Sequence, residues 1–118
     1  MNILLVEDEE INRRILAKIL SRFHATVVQA RDGQEALELL EGFAAEVIIT
    51  DLNMPRMDGL SLIRELKARG NSAPVVVLSA HNESEILEKA KELGAVHFLF
   101  KPIRVELLTQ TLETLAAE

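Results

Sequence analysis

Glu7 with Asp8, Asp51, Ser79 and Lys101 each follow directly on a short apolar run: Asn2–Val6, 46–50, 74–78 and His97–Phe100. In a parallel α/β sheet the strand ends share one edge, and ligands bind there. Three carboxylates, a hydroxyl and an ammonium would then meet in one shallow cleft. That set suits a divalent cation and a phosphoryl group. Hard oxygen ligands fit Mg²⁺, which takes one or two carboxylates plus waters and phosphate oxygens. Asp51 is the candidate nucleophile, because carboxylates can form aspartyl-phosphate intermediates. Phosphoryl transfer asks mainly for positioning and charge neutralisation, which a cation, Lys101 and Ser79 would supply. Each residue alone has a plainer reading: Glu7 and Asp8 as helix caps, Asp51 and Ser79 as strand ends, Lys101 as a solvated lysine. Three acids at adjacent strand ends favour the metal.

The elements that must position these groups are legible from periodicity. Apolar runs of about five residues alternate with helix-period segments, the pattern of βα units and a parallel sheet. A first helix is predicted over 9–22, with Ile11, Ile15, Ile19 and Leu16, Leu20, Phe23 as its apolar stripe. A second covers 33–41 with Asp32 as N-cap, and a third 59–68 with Gly70 as stop. The fourth covers 83–93 between Asn82 and Gly94; the fifth covers 104–116 and uses Leu107, Leu108, Thr111, Leu112 and Leu115. The second strand, 25–30, carries Thr26 and Gln29 and reads as an edge strand. The result is an α/β, doubly wound (βα)5 fold with a five-stranded parallel sheet of order 2-1-3-4-5. Glu7–Asp8 and Asp51 then face each other across the switch point.

Composition removes other classes. At 118 residues the chain reads as a single domain, 1–118, with no room for an output domain. It has no cysteine, so disulfides, thiolate catalysis and zinc–thiolate sites are excluded, and its three histidines, His24, His81 and His97, are scattered. A net charge of −6 without a basic run gives no footprint for direct nucleic-acid binding. No apolar stretch approaches a membrane helix, and a cytoplasmic location is expected. Within 51–59, Pro55 and Gly59 mark a turn. Asn53 could offer a backbone carbonyl to a metal. Met54 and Met57 read as packing residues, since thioethers do not suit hard cations.

With these residues in hand, the chain resembles the receiver domains of two-component response regulators (CheY-like). The marks are Leu4-Leu5-Val6-Glu7-Asp8, Asp51-x-x-Met54-Pro55-x-Met57-Asp58-Gly59, Ser79-Ala80, Gly94-Ala95 and Lys101-Pro102. The resemblance implies that Asp51 accepts a phosphoryl group from a histidine kinase or a histidine phosphotransfer protein. It implies Mg²⁺ held by Asp8 and Asp51, by Glu7 through water and by the Asn53 carbonyl. Lys101 would contact the phosphoryl oxygens, and Ser79 would swing in, with Ala80 leaving room. Phe98 would change rotamer with Ser79, and the bond before Pro102 would be cis. Asn53 and His81 occupy positions that tune acyl-phosphate lifetime in this family. Asn12-Arg13 and Ala80-His81 look similar to receivers of hybrid kinases or phosphorelays. Phe98 lacks the hydroxyl of the commoner tyrosine, and residues 105–118 of the last helix include no Lys or Arg, which puts charged pairing through that helix in doubt.

The function expected is a phosphorylation-activated signalling switch that alters the surface of helix 4, strand 5 and helix 5. It would be no enzyme beyond its own phosphotransfer and dephosphorylation. Output would come from a downstream effector protein or a fused domain. Two alternatives remain open: a phosphorylation-independent interaction module, and a small aspartyl-phosphate phosphatase. Asn53, where such phosphatases often carry a second acid, weighs against the latter. A mononucleotide binder lacks its Gly-rich motif.

Overall fold

A computed structural model describes every residue except His24, Pro55, His81, Asn82, Glu83 and Glu118. Strands and helices alternate: β1 (Asn2–Val6), α1 (Glu10–Ser21), β2 (Thr26–Ala30), α2 (Gly33–Leu40), β3 (Val47–Asp51), α3 (Gly59–Ala68), β4 (Val75–Ser79), α4 (Ser84–Glu92), β5 (His97–Phe100) and α5 (Val105–Ala116). All strand pairs are parallel, in the order β2-β1-β3-β4-β5, as the edge character of the second strand led us to expect.

Strand side chains alternate between faces, and here the two faces feed two separate cores. Leu4, Val6, Ile48, Val75 and Val77 pack with Leu37 of α2, Leu62 and Leu66 of α3 and Leu87 of α4. Ile3, Leu5, Val47, Ile49, Val76 and Leu78 pack with Leu16 and Leu20 of α1 and Leu108, Leu112 and Leu115 of α5. Strands covered on both faces need continuous apolar runs, which explains why β1, β3 and β4 are so uniform in sequence.

Two strand boundaries and two helix faces differ from expectation. The runs placed at 46–50 and 74–78 form strands one residue later. Asp51 still pairs with Leu78, and Ser79 with Phe100, so both candidate site residues stand on the ladder rather than after it. The stripe assigned to the first helix is half exposed: Leu16, Ala17 and Leu20 are buried, while Ile11 is 66% and Ile15 53% accessible. The row of Leu16 and Leu20 faces the core, and of the other row only Ile19 packs against it. Leu107 of α5 is likewise exposed.

Asp32 caps α2 as expected, accepting from Glu35 N at 2.9 Å. Asn82, the expected cap of α4, lies outside the described residues. Gly70 and Gly94 end α3 and α4 with positive φ and the paired backbone bonds of a Schellman stop. Gly59 has a different duty. A Cβ there would collide with the Asp51 carbonyl oxygen and come within 2.7 Å of Leu52 Cα. Backbone cannot yield as a flexible side chain can. Gly59→Ala is expected to cost about 2–3 kcal/mol, a fall of roughly 10 °C in melting temperature for a domain of this size. Thermal unfolding measures it, and an unchanged midpoint would refute the close packing of α3 on β3.

Candidate functional site

Glu7 follows β1, Asp51 ends β3, Ser79 ends β4 and Lys101 follows β5, so the sheet brings all four to one edge. One carboxylate oxygen from each of Glu7, Asp8 and Asp51 lies within 4.8 Å of the others. Lys101 Nζ donates to Asp51 Oδ2 at 2.6 Å and stands 3.8 Å from Glu7 Oε2. Asp51 Oδ1 accepts from Asn53 N at 3.3 Å. Of the three acids, Glu7 and Asp51 are buried and Asp8 is exposed.

The capping explanation for the first two acids does not hold. Glu9, read as the first residue of the helix, is its N-cap, and its side chain accepts from Ile11 N and Asn12 N. Glu is an uncommon cap, so residue type alone does not mark it. Nor does spacing mark the role of Arg13, whose Nη1 donates to the Glu7 carbonyl at 3.0 Å and steadies the acidic turn.

Electrostatically the edge is short of positive charge. Burial pushes the Glu7 carboxyl up to about 7, and the neighbouring Asp51 charge adds to the rise; Lys101 opposes it. Burial alone would lower the Lys101 ammonium, but the hydrogen bond and charge of Asp51, then Glu7 and Asp8, outweigh it and raise it above the usual 10.5. Buried Glu7 Oε2 has no hydrogen-bond partner among the described residues. A buried carboxylate oxygen left without a donor is costly. An all-oxygen donor set with one orphaned oxygen is what a hard divalent cation would complete.

Ser79 is buried, and its hydroxyl donates to Ala80 O at 3.0 Å. Phe98 is half-buried against the core beneath α3 and α4, with Lys91 Nζ 5.5 Å above its ring. The Lys101–Pro102 bond is cis, as expected. His81 lies outside the described residues. Beside the acids, a groove of about 470 Å³ opens between α1 and residues 101–103, with Glu7, Ile15, Leu16 and Ile19 on its wall.

A five-stranded doubly wound sheet with this edge defines a class, and comparison with known proteins agrees. The chain belongs to the response regulator receiver domain family, whose model matches residues 3–113. It is 44% identical over 102 residues to Regulator of RpoS from Escherichia coli K12, a match covering 86% of this chain and 30% of that protein. The chain thus spans less than a third of that relative's length. Among solved structures it is similar to the N-terminal domain of an uncharacterized protein from Wolinella succinogenes (41% identity, TM-score 0.93, covering 99% of this chain and 94% of that one). It is also similar to the chemotaxis response regulator CheY4 of Vibrio cholerae (29% identity, TM-score 0.88, covering 97% of each). Membership in this family makes phosphorylation-dependent signalling the class of function. No helix among the described residues is long and apolar enough to cross a membrane.

Proposed function

We propose that Asp51 accepts a phosphoryl group from the phosphohistidine of a histidine kinase or histidine phosphotransfer protein, in a Mg²⁺-dependent reaction in the cytoplasm. The observation that carries this is the Lys101 ammonium 2.6 Å from Asp51 Oδ2, beside three carboxylates gathered within 4.8 Å. Asp8, Asp51 and the Asn53 carbonyl would hold the cation directly, and Glu7 through water. When bound, Mg²⁺ neutralises the acids and the incoming phosphoryl oxygens. A carboxylate oxygen of Asp51 attacks phosphorus, the bond from phosphorus to the donor breaks, and the leaving group departs with the electron pair. Lys101 shifts from Asp51 to the transferred oxygens, since an ammonium carries three donors on a flexible stem. Exposed Ile11 and Ile15, with the groove alongside, offer a protein donor an apolar seat close to Asp51.

The phosphate then offers Ser79 a charge-assisted acceptor. Its hydroxyl must give up Ala80 O to take it. That exchange biases the loop after β4 and the Phe98 rotamer, and so the α4–β5–α5 surface. This is a population shift limited by how differently the two states hold phosphate. The surface already exposes Phe100, Val105 and Leu107, which suits a downstream effector protein or a fused domain better than nucleic acid. Asn53 and His81 would tune phosphate lifetime.

Incubation with Mg²⁺ and acetyl phosphate, followed by intact mass, tests the proposal. The expected result is a gain of one phosphate that EDTA prevents and Asp51→Asn abolishes. Labelling that survives in Asp51→Asn, or no labelling with acetyl phosphate or any phosphohistidine donor, would overturn it.

A further inference from the structure

The loop from β3 to α3 carries Asn53, and its far half is held by a helix to which it does not belong. Arg56 Nε lies 2.9 Å from Asp32 Oδ2 and Arg56 Nη2 donates to Asp32 Oδ1 at 3.1 Å, a forked pair. Asp32 is buried and is also the N-cap of α2. Beside it Gly33 N donates to Met57 O at 3.1 Å. That approach needs a glycine, because a Cβ on residue 33 would stand 2.8 Å from both Met57 O and Met57 Cγ. Arg56 itself adopts φ 64°, in the left-handed region that disfavours any side chain larger than glycine's. Arginine has no backbone preference for that position, so the partner across the gap is what holds it there. The near half of the loop is anchored separately, by Asn53 N to Asp51 Oδ1 at 3.3 Å and Gly59 N to Leu52 O at 2.9 Å.

We propose that Arg56 and Asp32 form a clamp that fixes the β3–α3 loop in the arrangement presenting Asn53 to a cation at Asp51. Both are positioning residues, and neither belongs to the carboxylate cluster. The inference rests on the Mg²⁺ site described above and adds a determinant of its affinity. Without the clamp the loop populates other arrangements, and apparent affinity falls by the fraction that remains competent. Stability should respond less. The pair is largely screened on the Arg56 side, which is 59% exposed, and Arg56→Gly also relieves the left-handed strain.

The test compares Mg²⁺ binding by calorimetry, thermal unfolding, and hydrogen exchange of the 52–59 amides in the EDTA-treated protein and in Arg56→Gly, Arg56→Gln, Asp32→Asn and Asp32→Asn/Arg56→Gln. Asparagine keeps the capping acceptor. Each single variant is expected to bind Mg²⁺ about three- to tenfold more weakly, with faster loop exchange and a melting temperature within a few degrees of the unaltered protein. The double variant should bind no more weakly than either single one, because the two changes break one contact. Unchanged affinity in the Arg56 variants, or multiplicative losses in the double variant, would overturn the clamp while leaving the metal site intact. Absence of Mg²⁺ binding by the unaltered protein would instead overturn the metal site, and the clamp's role with it.

Discussion

Lys101→Met is expected to bind Mg²⁺ more tightly than the unaltered domain and to accept phosphoryl groups about a hundredfold more slowly. The two effects have one cause. In the metal-free protein the ammonium sits 2.6 Å from Asp51 and 3.8 Å from Glu7, where it partly neutralises the acids a cation must bind. Removing it deepens the negative potential among the three acids and should raise affinity for a cation there. The same removal takes away the charge that the transferred oxygens would meet, and positioned charge is the main lever in this chemistry. Lys101→Arg should restore little, since a planar fork cannot replace a compact ammonium at this spacing. Calorimetry with Mg²⁺ and a time course of acetyl phosphate labelling read the two quantities separately. If both affinity and rate fall together, Lys101 is holding the site's shape rather than meeting the phosphoryl group.

Glu7→Gln should remove a loss of stability that grows with rising pH in the metal-free protein. The Glu7 carboxyl is raised from 4.5 to about 7, first by burial and then by the Asp51 charge. A carboxyl raised on folding resists ionisation in the native state. Its penalty is absent below about pH 4.5, grows as pH climbs, and is complete once pH passes 7. A shift of that size corresponds to about 3 kcal/mol, or roughly 10 °C for a domain of this length. In EDTA, then, Glu7→Gln should melt well above the unaltered protein at pH 8 and close to it at pH 5. With Mg²⁺ present the order should narrow or invert, because the cation compensates Glu7 and the amide cannot answer it equally. Equal melting temperatures of the two proteins in EDTA at pH 8 would show that the carboxylate is not under strain.

The fold was legible because the strands are short, apolar and separated by helix-period segments with clear stops. The sheet order followed from one polar strand, Thr26–Ala30, and the residue types at strand ends marked the edge. Faces were harder to read. Ile11 and Ile15 repeat at the same spacing as Leu16 and Leu20, and periodicity alone cannot tell the row that meets the sheet from its neighbour. Two strand ends lie one residue beyond the apolar runs, because Asp51 and Ser79 look like interruptions in sequence while their backbones continue the ladder. Glu9 as a cap, Arg13 on the Glu7 carbonyl and Arg56 on Asp32 depend on side-chain reach across turns, which spacing does not encode. The Asp32 cap was visible, but not its second bond to Arg56, 24 residues away in the chain.

Lys101 reaches past β4 to Asp51 on β3 and toward Glu7 beyond β1, so the charge balance of the edge is assembled only when the last strand has docked. During synthesis, Glu7, Asp8 and Asp51 all emerge from the ribosome before the lysine that answers them. A nascent chain short of β5 therefore holds these acids without their counter-charge, and the edge gains its balance only as the last strand is added.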